Sequence, residues 1–118
     1  MSSCGNLVKF PVSTVVPTAD ISITQKKDKN GNTAFSLKAK NLSAANRLSP
    51  PRNFYVVWAV TNENGIKNLG QLSNKNAGKA TLETTTSFIT NEVFITAEEQ
   101  GNISYPTGTE ITRVALNK

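Results

Sequence analysis

The sequence predicts an all-β domain, an immunoglobulin-like Greek-key sandwich of about seven antiparallel strands. Three observations carry that prediction. Apolar residues alternate with polar ones at period two from Asp20 onward, turn residues interrupt the alternation every 10–15 positions, and helical periodicity is absent. With 118 residues there is room for one domain around one core. The hydrophobic content of 37% and charged content of 18% set the chain apart from disordered polyelectrolytes and from membrane bundles.

The elements follow in order. Ile21 and Ile23 alternate with Ser22 and Thr24, and Lys27–Asn32 then carries Asn30-Gly31, a strong hairpin signal because both residues tolerate positive φ. The return strand sets Phe35, Leu37 and Ala39 on one face and Ser36, Lys38 and Lys40 on the other, as a half-buried antiparallel strand does. Ser43–Asn53 contains Pro50-Pro51, which cannot donate ladder hydrogen bonds, so it reads as a crossover.

Phe54–Val60 is apolar on both faces, the pattern of a central strand. Phe54, Val56, Trp58 and Val60 share one side; Tyr55, Val57 and Ala59 share the other. Trp58 is expected to fill the core, as a sandwich tryptophan does. Asn62–Gly65 turns the chain into Ile66–Leu72, and Asn74–Gly78 makes another turn. Ala80, Leu82 and Thr84 form the next alternating strand, followed by Val93, Ile95 and Ala97. Glu98–Gly108 is a turn-rich loop, and Ile111–Leu116 closes the domain.

The net charge of +5 is unevenly spread. Residues 1–59 carry eight Lys and Arg against Asp20 and Asp28; residues 60–118 carry five against six acids. Lys26, Lys27, Lys29, Lys38 and Lys40 flank one turn, without the interleaved aromatics of a nucleic-acid surface. They read as a solvated hairpin that resists edge-to-edge pairing, with attraction to an anionic membrane surface as the other reading. No nucleic-acid partner is expected.

Catalytic and metal chemistry finds little to use. The chain has no histidine and a single cysteine, which excludes an internal disulfide, a Cys/His zinc cluster and the common triads. Glu98 and Glu99 are adjacent, so on a strand they point to opposite faces and cannot pair as acid and base. The remaining carboxylates lack the dense spacing of a calcium loop. No catalytic residue, metal or cofactor is expected, and the chain reads as a non-enzyme.

The lone cysteine opens a different line. Met1-Ser2-Ser3-Cys4-Gly5-Asn6 resembles the end of a bacterial lipoprotein signal peptide, with Ser2 and Ser3 at the small positions before a lipidated cysteine. Met1 stands where a leucine is usual, and no charged or apolar segment precedes Cys4. Residues 5–19, rich in Ser, Thr, Val and Pro, suit a flexible tether between lipid and domain. The expected organisation is therefore a leader over 1–19 and one sandwich over 20–118.

From Phe54 to Leu116 the sequence resembles the C-terminal extracytoplasmic domain of anti-sigma-K factors. The matching residues are Tyr55-Val56-Val57-Trp58-Ala59-Val60, then Gly65, Leu69-Gly70, Phe88, and Val93-Phe94-Ile95-Thr96-Ala97-Glu98. Gly101 and Tyr105-Pro106-Thr107-Gly108 follow, with Glu99 standing for a proline of the family pattern and Asn102 for a glycine. Sigma-factor binding in that family resides in a separate cytosolic helical domain, which the resemblance does not cover. The resemblance thus implies a sandwich fold and an envelope location, with Trp58, Gly65, Leu69, Gly70, Glu98, Gly101, Pro106 and Thr107 as structural motif residues and no direct sigma-factor contact.

Two functions from different classes are compatible with these residues. One is a lipid-anchored envelope domain, periplasmic or on the outer surface, whose partner is another envelope protein and whose membrane contact is a lipid on Cys4. The other is a carbohydrate-binding module, for which Tyr55 and Tyr105 would be the stacking residues.

Overall fold

The computed structural model describes residues 6–61, 65–76 and 79–116, apart from the side chains of Asn6 and of residues 74–76. Cys4, the tip of the expected turn at residues 62–64, and Ala77-Gly78 lie outside the described residues. Nine strands are described: β1 (Asn6–Lys9), β2 (Asp20–Lys27), β3 (Thr33–Lys40), β4 (Phe54–Thr61), β5 (Ile66–Gln71), β6 (Ser73–Asn76), β7 (Lys79–Thr86), β8 (Thr90–Glu98) and β9 (Thr109–Ala115). A single 3₁₀ turn, Ala45–Arg47, interrupts the crossover from β3 to β4.

The strands form two antiparallel sheets packed as a β-sandwich. One is five-stranded in the order β1-β2-β3-β7-β6, the other four-stranded in the order β5-β4-β8-β9. Chain neighbours β2 and β3, β4 and β5, β6 and β7, and β8 and β9 pair side by side. The connections β3 to β4, β5 to β6 and β7 to β8 each cross between sheets. Ile21, Ile23, Phe35, Leu37, Ala39 and Ala80 of one sheet meet Tyr55, Val57, Val93, Ile95, Ala97 and Ile111 of the other in a common core. These are the period-two positions, so alternation along each strand dictates which face turns inward.

The β2–β3 hairpin is present, but its turn is longer than the Asn-Gly pair alone implies. The Asp28 amide donates to the Asn32 carbonyl (2.9 Å) and the Gly31 amide to the Asp28 carbonyl (3.2 Å). Gly31 takes φ +85°, which makes a type I turn followed by a left-handed residue. The Asp28 carboxylate accepts the Asn30 and Asn32 amides, at 2.8 and 3.0 Å, and holds the loop.

Two expectations are corrected. Residues 6–19 are part of the domain and not a tether. β1 pairs along β2, the Phe10 amide donates to the Ile21 carbonyl (2.9 Å), and Phe10 and Val16 are buried in the core. The Ser13 hydroxyl accepts the amides of Val15 and Val16, both at 3.0 Å, and bends the chain so that Val16 turns inward. That bend breaks any period, which is why the segment reads as irregular. Likewise Asn74–Asn76, read as part of a turn, belongs to the short edge strand β6, because pairing with β7 outweighs its weak strand propensity.

Leu37 sits at the middle of β3, itself the central strand of its sheet, with 1% of its surface exposed. Leu37→Ala should lower unfolding stability by about 2–5 kcal/mol, the usual range for such a truncation, as measured by urea titration.

Candidate functional site

The most organised cluster of polar side chains lies on the outer face of the four-stranded sheet. A sandwich face turned away from the core is ordinarily wet. Here Val56, Trp58, Phe94, Thr96 and Glu98 are each at most 2% exposed. The cover is the β8–β9 loop, residues 99–108, from which Ile103 packs against Val56, Trp58 and Phe94. Trp58 is thus buried as expected, but beneath this loop and not between the sheets. Its neighbours Tyr55, Val57 and Ala59 take the inner face by alternation.

One row of side chains crosses all four strands. Asn68 of β5 stands opposite Trp58 of β4, Trp58 opposite Phe94 of β8, and Phe94 opposite Arg113 of β9. The two rings stack with centroids 6.3 Å apart at an interplanar angle of 18°. The Arg113 guanidinium lies 4.2 Å from the Phe94 ring centroid and bridges Glu92 (2.7 Å) and Glu110 (2.8 Å). At the other end of the row the Asn68 amide donates to the carbonyls of Gly101 (3.1 Å) and Ile103 (2.9 Å), tying the loop to β5.

A hydrogen-bond relay runs from the tryptophan to the loop. Trp58 Nε1 donates to Thr96 Oγ1 (2.8 Å), whose hydroxyl donates to Glu98 Oε2 (2.6 Å). The same oxygen accepts the backbone amides of Thr107 and Gly108, both at 3.1 Å, while Oε1 accepts the Thr107 hydroxyl (2.8 Å). Burial pushes the Glu98 pKa up, yet the hydrogen bonds from Thr96, Thr107 and Gly108 together outweigh it, and the carboxyl titrates below its ordinary range. Both oxygens are engaged by the protein. The group is a clasp for the loop.

Backbone geometry supports the clasp. A Cβ on Gly108 would run into the Ala97 carbonyl, so only glycine brings its amide to Glu98 there. Gly70, at φ +131°, follows a bulge that leaves Leu69 without a direct partner on β4, and Leu69 packs against the inner core. The Gly70 amide donates to Asn68 Oδ1 (2.7 Å), which orients the Asn68 side chain toward the loop.

The other expected site residues are placed as follows. Gly65 has φ +74° and its carbonyl accepts both the amide (3.0 Å) and the hydroxyl (2.6 Å) of Thr61. Gly101, Pro106 and Thr107 lie in the roofing loop. Glu99 points away from Glu98 and pairs with Arg52 at 3.2 Å. Tyr55 is not available for ligand stacking, a correction to that expectation. It is 5% exposed within the core, its hydroxyl donates to the Ser43 carbonyl (2.6 Å), and burial pushes its pKa up to about 12. Tyr105 is 68% exposed. Asn68, Thr96 and Arg113 complete the cluster; only Thr96 had a signal in the sequence, sharing the parity of Phe94 and Glu98.

Among the described residues no group of three or more His, Cys, Asp or Glu side chains is placed to hold a metal ion, and no helix is long and apolar enough to cross a membrane. No family model matches the chain, and no curated protein and no solved structure matches it.

Because Glu98 is more acidic in the fold than in the unfolded chain, its contribution is complete above the unfolded carboxyl pKa of about 4.3 and is lost as pH falls through the lower folded value. Glu98→Gln should therefore flatten the acid limb of the stability-versus-pH curve below about pH 5, measured by thermal unfolding. At neutral pH the same change should cost on the order of 3 kcal/mol, since it turns an amide against buried donors. The single tryptophan gives a second readout. Asn68→Ala should leave the fold intact but red-shift Trp58 emission and open it to iodide quenching.

Proposed function

We propose that this chain is a non-catalytic, lipid-anchored domain of the bacterial cell envelope, of the anti-sigma-K-like type, acting through protein contact or sensing. The observation that carries the reading is the clasp. Residues quoted for the resemblance from three separate stretches, Trp58, Thr96 with Glu98, and Thr107 with Gly108, meet in one hydrogen-bonded network. Without β1, the strand orders β2-β3-β7-β6 and β5-β4-β8-β9 correspond to the A-B-E-D and C′-C-F-G orders of immunoglobulin domains, which supports the Greek-key form. Such a body offers rigid surfaces and loops for contact, and the one buried carboxylate among the described residues is occupied internally.

Anchoring rests on Ser2-Ser3-Cys4, and β1 begins at Asn6, two residues further on. A bacterial lipoprotein cysteine carries several acyl chains, enough for stable attachment where a single chain is marginal. The carbohydrate-module reading keeps only Tyr105 of its two proposed stacking residues, because Tyr55 is buried. Mass spectrometry of the protein from its native host tests the anchor. The expected result is a diacylglyceryl-modified Cys4 at the mature N-terminus, and an unmodified cysteine would overturn it. Crosslinking in native envelopes should then recover a partner protein.

A further inference from the structure

The register brings three chain segments to one end of the sandwich. The β2–β3 hairpin, the β7–β8 turn and the end of β9 meet there around a groove lined by Lys26, Lys27, Phe88, Ile89 and Leu116. Asn6 pairs with Gln25, so β1 starts at this same end. Lys26, Lys27 and Lys29 are exposed, and the Lys67 ammonium lies 5.2 Å from the Phe88 ring centroid. Ile89 is 65% exposed at the tip of its turn, and Ile66 at the start of β5 is 41% exposed.

The opposing charges at this end are few, and Glu83 shares an outer-face hollow with Lys26 about three residues back from the tip. The Asp28 carboxylate is engaged by the Asn30 and Asn32 amides, and Glu92 is engaged by Arg113. Glu63 belongs to the β4–β5 connection, outside the described residues. Lysines surrounding a protruding aliphatic side chain match a surface that is anionic outside and apolar just beneath. A lipid bilayer with acidic headgroups is such a surface, and each lysine near it contributes about 1 kcal/mol, or roughly fivefold in partitioning.

From this arrangement we infer that this end of the sandwich docks on an anionic lipid bilayer, Lys26, Lys27, Lys29 and Lys67 meeting the phosphates and Ile89 entering the headgroup layer. The inference rests on the envelope reading above and deepens it. Because β1 starts at the docking end, a lipid on Cys4 and the basic tip would act on one membrane together, the two-signal arrangement that gives firm attachment. The outer face of the five-stranded sheet and the roofing loop would then remain free for a partner.

The test is co-sedimentation of the full chain, produced without a lipid, with vesicles of equal parts phosphatidylcholine and phosphatidylglycerol, and with phosphatidylcholine alone. Binding is expected to the mixed vesicles only, and to fall as salt is raised. The Lys26→Gln/Lys27→Gln pair should weaken it by about 25-fold, and Ile89→Ser by about tenfold, with unchanged unfolding midpoints. Lys38→Gln/Lys40→Gln, up to about 20 Å further along the sheet, should change it less than twofold. Absence of mixed-vesicle binding would overturn the inference, as would an equal loss in the Lys38/Lys40 pair. Retention on an anionic polysaccharide without vesicle binding would assign the end to a polymer and overturn it as well. The two readings fail separately: an unmodified Cys4 removes the anchor while vesicle binding stands, and the reverse result removes only the docking end.

Discussion

β4 is buried on both faces, and the four-stranded sheet is organised around that requirement. Tyr55 and Val57 supply the inner face, where the opposite sheet covers them. Val56 and Trp58 point the other way, where the described residues place no further sheet. Leaving two side chains of this size in water would forgo several kcal/mol of burial. The chain covers them with the β8–β9 loop instead. A loop brought onto an apolar surface carries backbone groups that need partners, and Glu98, Thr96 and Asn68 provide them.

The same economy explains why a carboxylate is tolerated at 1% exposure. An ionised group out of water is costly unless hydrogen bonds replace its hydration. Glu98 receives two hydroxyls and two backbone amides, so the charged form is favoured over the neutral one despite burial. In exchange it fixes the loop's exit into β9 at Thr107 and Gly108. The cluster is best understood as architecture that makes the loop rigid, and a rigid loop is a usable contact surface.

The two ends of the sandwich differ in chemistry. One carries the roofing loop, the β3–β4 crossover and the Arg52–Glu99 pair. The other gathers the lysine-bearing hairpin, Ile89 and the start of β1. Residues that look like one charge run in the sequence therefore divide between two places. Lys26 and Lys27 reach the hairpin end, whereas Lys38 and Lys40 run along the outer sheet face toward the opposite end. An excess of positive charge on a half-chain says nothing of this division.

Much of the fold was legible because strand alternation is a local property. Ile21, Ile23, Phe35, Leu37 and Ala39 face the core as their spacing requires, and the double apolar pattern of Phe54–Val60 marked a central strand. The segment 6–19 was not legible, since its burial depends on a Ser13 turn and on pairing with β2. Trp58 was recognisable as a buried residue, but the side on which it is buried depends on a loop forty residues away. Thus the sequence by itself determined the all-β class, the strand faces and the charge imbalance. Which polar residues meet, and what covers the second face of β4, was decided only by tertiary structure, because hydrogen bonds between distant strands leave no periodic mark on the chain.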